Sequence, residues 1–319
     1  MPIEVLLTQR FMADTEAALE KSYLVHRLYQ ARDRQAFVAG VAPAVRGVVT
    51  GGSFGVPGSI MDALPALEII AINGVGTDAV DLNRARARSI RVTTTPGVLT
   101  DDVADMAFGL LLAVSRQLCI GDRFVRDGKW PTQTLPLARK VSGKRLGILG
   151  LGRVGRAIAR RAEGFDMPIA YTDISPISDV PYRFVVNLHR FVVNLRDLAV
   201  HSEVLIIAAS GGPESRGIVD ASVLDALGRD GILVNVARGS VVDQPALVAA
   251  LRERRLGGAG LDVFADEPHV PEALWSLDNV VLQPHQASAT VETRLAMGEM
   301  VLANLAAHFA GKPLPSAVV

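Results

Sequence analysis

At 319 residues the chain is long enough for two domains of roughly 100 to 200 residues, each with its own core. Lys plus Arg equal Asp plus Glu at 33 each, so no net field draws nucleic acid or an anionic membrane, and the expected partners are small molecules or other protein chains. Cys119 is the only cysteine, which excludes an internal disulfide and a cysteine metal cluster, and no metal site is expected.

The first elements alternate strand and helix. Glu4 to Thr8 reads as a strand, Thr15 to Ser22 as a helix, Tyr23 to Leu28 as a second strand and Gln35 to Ala39 as a short helix. Val45 to Thr50 is an apolar run of the kind a buried parallel strand needs, and it opens onto the loop Gly51-Gly52-Ser53-Phe54-Gly55. Helix resumes from Ser59 to Leu64. Strands follow at Glu68 to Ile72, before Asn73-Gly74-Val75-Gly76-Thr77-Asp78, and at Ile90 to Thr94. This pattern predicts a small parallel sheet without a phosphate fingerprint, hence a domain that binds something other than a dinucleotide.

Pro96-Gly97 interrupts the chain, and Thr100-Asp101-Asp102 supplies an N-cap and two acids at a helix start. A single helix is expected from Val103 to about Arg126. Through Ala113 it is apolar on nearly all sides, which predicts burial between domains or against a second subunit. The window Val103 to Val114 is too short to span a bilayer and contains Asp105, and MPIEVLLTQR does not resemble a signal peptide, so a soluble cytoplasmic protein is expected.

Lys144 to Asp173 is the most informative stretch. The apolar strand Leu146 to Leu149 leads into Gly150, Gly152 and Gly155 in G-x-G-x-x-G spacing, with Arg153 and Val154 between the glycines. A helix from Arg156 to Ala162 and a strand from Pro168 to Thr172 follow, and Asp173 ends that strand. One glycine makes the tight turn, one lets the backbone approach a pyrophosphate, and one packs helix on strand, with the anion on the helix N-terminus. An acid at the end of the second strand accepts from the ribose hydroxyls and repels a 2′-phosphate, which favours NAD; Arg153 and an insertion near Arg183 leave NADP open.

Further strands are expected at Val204 to Ala208, Ile232 to Val236, Gly260 to Val263 and Val280 to Leu282, with helices at Ser222 to Leu227 and Pro245 to Arg254. The predicted fold class is therefore α/β with two Rossmann-like domains: a doubly wound cofactor domain over residues 97–287, and a smaller substrate domain from 1–96 and 288–319. The helix from Thr290 to His308 and the tail Pro313 to Val319 return to that smaller domain. One oddity is RFVVNL at Arg183 to Leu188, repeated from Arg190 to Leu195, which reads as a local duplication tolerated in a surface connection.

Three polar stretches follow predicted strand ends, where open α/β sheets bind ligands. NVARG carries Arg238, GLDVFADEP carries Asp262 and Glu267, and QPHQASAT carries His285. A guanidinium fork holds a 2-oxo acid's carboxylate bidentately, and a histidine can donate the proton that carbonyl reduction requires. A carboxylate such as Glu267 beside that histidine fixes its tautomer and favours its charged form. Taken singly, Arg238 reads as a surface ion pair, Glu267-Pro268 as a loop and His285 as a capped turn. Cys119, Met167 and Met297 read as apolar filling, His26, His189, His201 and His308 lack metal-type spacing, His269 has no readable role, and Trp130 reads as packing or as a reach into a neighbouring subunit.

On these residues the chain resembles the D-isomer-specific 2-hydroxyacid dehydrogenases over almost its whole length, and within them is most similar to the hydroxypyruvate/glyoxylate reductase group. The matching motifs are Val75-Gly76 with Asp78, the fingerprint from Gly150, NVARG, DVF-x-x-EP and PH-x-x-SAT. The resemblance implies a homodimeric reductase in which Arg238 binds the substrate carboxylate and polarises the carbonyl, His285 is the acid/base and Glu267 its partner. It also implies that the backbone of Val75 and Gly76 grips the carboxylate and that Asp262 meets the nicotinamide carboxamide. Gln286-Ala287 departs from the apolar residue and glycine of many relatives, and Asp173-Ile174-Ser175 departs from the Asn or Arg-Ser of NADP-using ones. An NAD-sensing, corepressor-like binding protein and a phosphite or phosphoglycerate dehydrogenase remain alternatives.

Overall fold

Short runs of aliphatic residues, bounded by glycine or polar turns, become buried strands because both faces are covered by helices. The computed structural model describes residues 2–185 and 191–319. In chain order the early elements are β1 (Glu4–Leu7), α1 (Ala13–Glu20), β2 (Leu24–Arg27), α2 (Arg34–Val41), β3 (Val45–Gly51), α3 (Gly58–Ala63), β4 (Ile69–Asn73), α4 (Leu82–Ala87) and β5 (Arg91–Thr93). The middle holds α5 (Thr100–Ser115), α6 (Leu118–Arg126), β6 (Leu146–Leu149), α7 (Arg153–Glu163), β7 (Ile169–Thr172) and β8 (Arg183–Phe184). Then come α8 (Phe191–Val200), β9 (Val204–Ile207), α9 (Ala221–Leu227), β10 (Ile232–Asn235), α10 (Gln244–Arg252), β11 (Gly258–Leu261), β12 (Val280–Leu282) and α11 (Val291–Phe309).

The chain divides into two compact units, Met1–Leu99 with Ala289–Val319 and Thr100–Ser288. In the first unit a five-stranded sheet runs in the order β2-β1-β3-β4-β5, every pair parallel. That order is the flavodoxin-like form of the doubly wound sheet. Alternate residues go to opposite faces: Leu6 and Ile70 join one core cluster, while Val5, Leu7, Ile69 and Ala71 join another with Val301 and Leu305 of α11. The final residues extend the edge, as Val318 N–H donates to Val92 O at 2.7 Å and Ser316 Oγ to Thr94 O at 2.6 Å.

The second unit carries a seven-stranded sheet in the order β12-β11-β10-β9-β6-β7-β8, again all parallel. The chain starts in the middle at β6, moves one way to β7 and β8, then crosses to β9 and continues outward to β12. The reversal lies between β6 and β9, the kind of switch point at which open sheets bind nucleotides. Helix α5 packs on β10 and β11. There β11 has no side chain at Gly260, where a Cβ would stand 2.8 Å from Leu110 Cβ.

Three expectations change. The helix expected over Val103 to Arg126 is two helices, because Gln117 adopts a left-handed conformation with φ 56° and turns the chain between α5 and α6. Cys119 is exposed and so does not fill a core. The sequence reading also passed over α4, although Asp81 caps it by accepting from Arg84 N–H at 2.9 Å.

The duplicated hexapeptide is split in structure: Arg183 and Phe184 of the first copy form β8, whereas the second copy enters α8 from Phe191. Residues 186–190 lie outside the described residues, so the surface placement expected for the duplication falls partly there. Among the described residues no single helix is long and apolar enough to cross a membrane.

Candidate active site

The dinucleotide fingerprint is built from one turn. Gly150 takes φ +89°, and a Cβ there would lie 2.7 Å from Ala209 Cα. Gly155 packs α7 against that turn so closely that its Cβ would meet Gly150 O at 2.1 Å. At Gly152, the N-cap of α7, a Cβ would meet nothing within 4 Å. Close packing beneath and open space above fit a pyrophosphate lying over Gly152 against the first N–H groups of α7, where the helix dipole favours an anion. Arg153 and Val154 are the first two residues of that helix. Asp173 is already tied to the turn: one carboxylate oxygen accepts from Leu151 N–H at 2.7 Å and the other from Ile174 N–H at 2.7 Å. It therefore braces the glycine loop.

At the carboxyl ends of the three adjacent strands β10, β11 and β12, the same unit gathers Arg238, Asp262, Glu267 and His285. Glu267 Oε2 lies 2.7 Å from His285 Nδ1, while Glu267 Oε1 accepts from Phe264 N–H at 3.0 Å. An ionised carboxylate only accepts, so Nδ1 carries the proton in this contact and Nε2 is the ring nitrogen whose protonation can change. Burial pushes the Glu267 carboxyl upward, but the hydrogen bonds from His285 and Phe264 N–H and the charges of His285 and Arg238 outweigh it, leaving Glu267 below the ordinary carboxylate range.

Asp262 follows β11 and is 0% exposed. Its two carboxylate oxygens accept from Gln286 N–H at 2.7 Å and Ala287 N–H at 3.0 Å, and its carbonyl accepts from His285 N–H at 2.8 Å. Burial raises the Asp262 carboxyl above its usual value, and those N–H bonds only partly oppose it. These bonds hold His285 at φ 54°, a left-handed conformation that a residue with a Cβ adopts only under constraint. Sequence reasoning found Asp262 but missed this clamping role, which depends on contacts between separate loops.

Arg238 is held by its own turn. Asn235 Oδ1 accepts from Ala237 N–H at 3.1 Å, Asn235 Nδ2 donates to Arg238 O at 3.0 Å, and Arg238 Nη1 donates to Ala237 O at 2.7 Å. Asn235 was also missed; an Asn three residues before the arginine, at a strand end, is the signal that could have revealed it. The remaining predicted residues, Val75 and Gly76, belong to the other unit, on the loop after β4. There Gly76 O lies 3.4 Å from the position a Cβ of Gly52 would take, so the two glycine loops of that unit stack backbone on backbone.

A doubly wound sheet with an intact phosphate turn at its switch point is a dinucleotide-binding unit of the Rossmann type. Residues 108–287 match the D-isomer specific 2-hydroxyacid dehydrogenase, NAD binding domain family. The chain is 49% identical over 301 residues to a 2-ketogluconate reductase of Gluconobacter oxydans, covering 94% of each chain. It is 47% identical over 317 residues to a hydroxyphenylpyruvate reductase of Plectranthus scutellarioides, covering 99% of each. Among solved structures it is similar to an NADPH-dependent glyoxylate/hydroxypyruvate reductase of Sinorhizobium meliloti in complex with NADP and malonate, with 39% identity and a TM-score of 0.90 over 100% of this chain and 97% of that one. The chain belongs to the D-isomer-specific 2-hydroxyacid dehydrogenase family.

Proposed function

We propose that the protein reduces a small 2-oxo acid to the D-2-hydroxy acid, with Arg238, Glu267 and His285 as its working residues. The observation that carries this reading is the 2.7 Å contact between Glu267 Oε2 and His285 Nδ1 at the strand ends that also present Arg238. When bound, a reduced nicotinamide supplies hydride for the carbonyl carbon. Arg238 binds the substrate carboxylate and polarises the carbonyl, and His285 delivers a proton from Nε2 to the carbonyl oxygen, so that one C=O becomes CH–OH. Glu267 keeps the imidazolium oriented until the proton leaves, and Asp262 fixes its loop. The unit formed by both chain ends is read as the substrate domain, with the backbone of Val75 and Gly76 as a further carboxylate grip.

Hydroxypyruvate, glyoxylate, aryl pyruvates and 2-ketogluconate share the carboxylate and adjacent carbonyl that this chemistry needs, and relatives are named for each of them. Loss of NADH absorbance with each acid in turn tests the reading; no turnover with any of them would overturn it and favour a dinucleotide-sensing role. The homodimer proposal is supported by Leu118, Val125, Trp130 and Leu137, apolar side chains left exposed on α6 and the loop after it. Sedimentation of the protein as a monomer at assay concentration would refute it.

NADH is the proposed cofactor because Asp173 presents a carboxylate where a 2′-phosphate would bring like charge. The second reading, NADPH, draws on the NADP held by the Sinorhizobium meliloti relative. The expected result is a higher kcat/KM with NADH, narrowed by about tenfold in Asp173→Asn, the equivalent of roughly 1.4 kcal/mol of relieved repulsion. A native preference for NADPH would show that other groups override this acid.

A further inference from the structure

The turn carrying Arg238 and the loop carrying Glu267 leave different strands, and their relative placement decides whether one substrate can meet both the guanidinium and the acid. They meet where Gly239 faces the Phe264–Ala265 peptide. Gly239, directly after Arg238, lies so close to the Phe264–Ala265 peptide that a Cβ would come within 1.9 Å of Phe264 C and 2.4 Å of Ala265 N. Contact of backbone on backbone prevents the loops from interpenetrating but does not fasten them. The fastening comes from α10: Gln244 Oε1 accepts from Ala265 N–H at 2.9 Å. Asp243, the N-cap of α10, holds the start of that helix by accepting from Ala246 N–H at 3.1 Å. Beyond Ala265 the chain continues to Glu267, whose Oε1 reaches back to Phe264 N–H at 3.0 Å and whose Oε2 meets His285. One side-chain amide thus grips the amide next to the one that Glu267 itself uses.

We propose that Gln244 is a positioning residue for the reaction: by accepting the Ala265 N–H across the Gly239 contact it fixes the Glu267–His285 pair relative to Arg238. Gln244 touches no reacting atom and acts only through the loop. The inference rests on the roles proposed above for Arg238, Glu267 and His285.

Three variants test it in the NADH assay, with the best 2-oxo acid as substrate. Gln244→Met keeps the length of the side chain and removes its amide acceptor; kcat is expected to fall about tenfold, since small misplacement of catalytic groups costs rates of this order. The KM for NADH should stay within about twofold, because the cofactor turn is untouched. Gln244→Glu retains an acceptor for Ala265 N–H and is expected to keep wild-type kcat within about threefold. In a Glu267→Ala background, Gln244→Met should lower kcat by less than about twofold, because a residue acting through the Glu267 side chain then has nothing left to position. Wild-type kcat in Gln244→Met, an equal loss in Gln244→Glu, or an undiminished loss in the Glu267→Ala background would each overturn the inference while leaving the reductase reading intact. Absence of turnover in the wild-type protein would instead overturn that reading.

Discussion

In His285→Ala, kcat for 2-oxo acid reduction is expected to fall by about 10² to 10⁴-fold, the range that a positioned general acid contributes. The KM for NADH should change little, since the phosphate turn at Gly150 to Gly155 lies at the end of a different strand. Glu267→Gln should lower kcat less, because an amide oxygen can still accept from Nδ1–H and orient the ring, although it brings no negative charge to it. The pH dependence has a definite sign. Reduction takes up a proton and should slow as pH rises; oxidation of the hydroxy acid releases one and should quicken over the same span. On the acid side, Glu267 lies below the ordinary carboxylate range in the fold, so its contribution to stability is complete above the ordinary glutamate value and is lost only as pH falls through its lowered one. Rate profiles measured in both directions check this. Parallel profiles, or an active His285→Ala, would remove His285 from the acid/base role.

Substitution of Arg238 is expected to have the next largest effect, and on a different parameter. Loss of a bidentate, charge-assisted contact costs about 3 kcal/mol, which corresponds to a fall in kcat/KM of roughly 10²-fold. Much of it should appear as a raised KM for the oxo acid, because the carboxylate is bound before and during the reaction, with a further loss in kcat from weaker polarisation of the carbonyl. Arg238→Lys should recover less than about a tenth of the lost kcat/KM, since a lysine offers a point charge in place of a planar fork. The loop itself should survive, because the Asn235 bonds to Ala237 and Arg238 use the backbone at position 238. Steady-state kinetics with glyoxylate and hydroxypyruvate measures both parameters. Unchanged kcat/KM in Arg238→Ala would mean that the carboxylate is bound elsewhere.

Much of this architecture was legible because local and long-range signals coincide. Leu146 to Asp173 carries its strand, turn, helix and acid within one continuous stretch, and the glycine spacing reports backbone approaches that only glycine permits. The parallel order follows from alternating apolar runs and helices. The Gln117 break was hidden because the left-handed residue is neither glycine nor asparagine, and the apolar pattern continues past it. Helix α4 was hidden because Arg84, Ala85, Arg86 and Ala87 alternate without an apolar helical period. The bracing by Asp262 and Gln244 belongs to tertiary contacts that spacing along the chain does not encode. The repeated RFVVNL makes the same point: Arg183 and Phe184 pair with β7 as a strand, while the second copy runs into a helix, so the neighbours decide the conformation.

The left-handed turn at His285 sets two selective pressures against each other. A side chain in that conformation costs about 1 to 2 kcal/mol relative to one without a Cβ, an appreciable share of the few kcal/mol that keep a domain folded. A glycine there would relieve that cost, but it would also leave the Glu267 carboxylate without its His285 partner and the protein without a proton donor. Backbone conformation and proton chemistry therefore make opposing demands on this one position, and the bonds from Asp262 and Glu267 are what reconcile them.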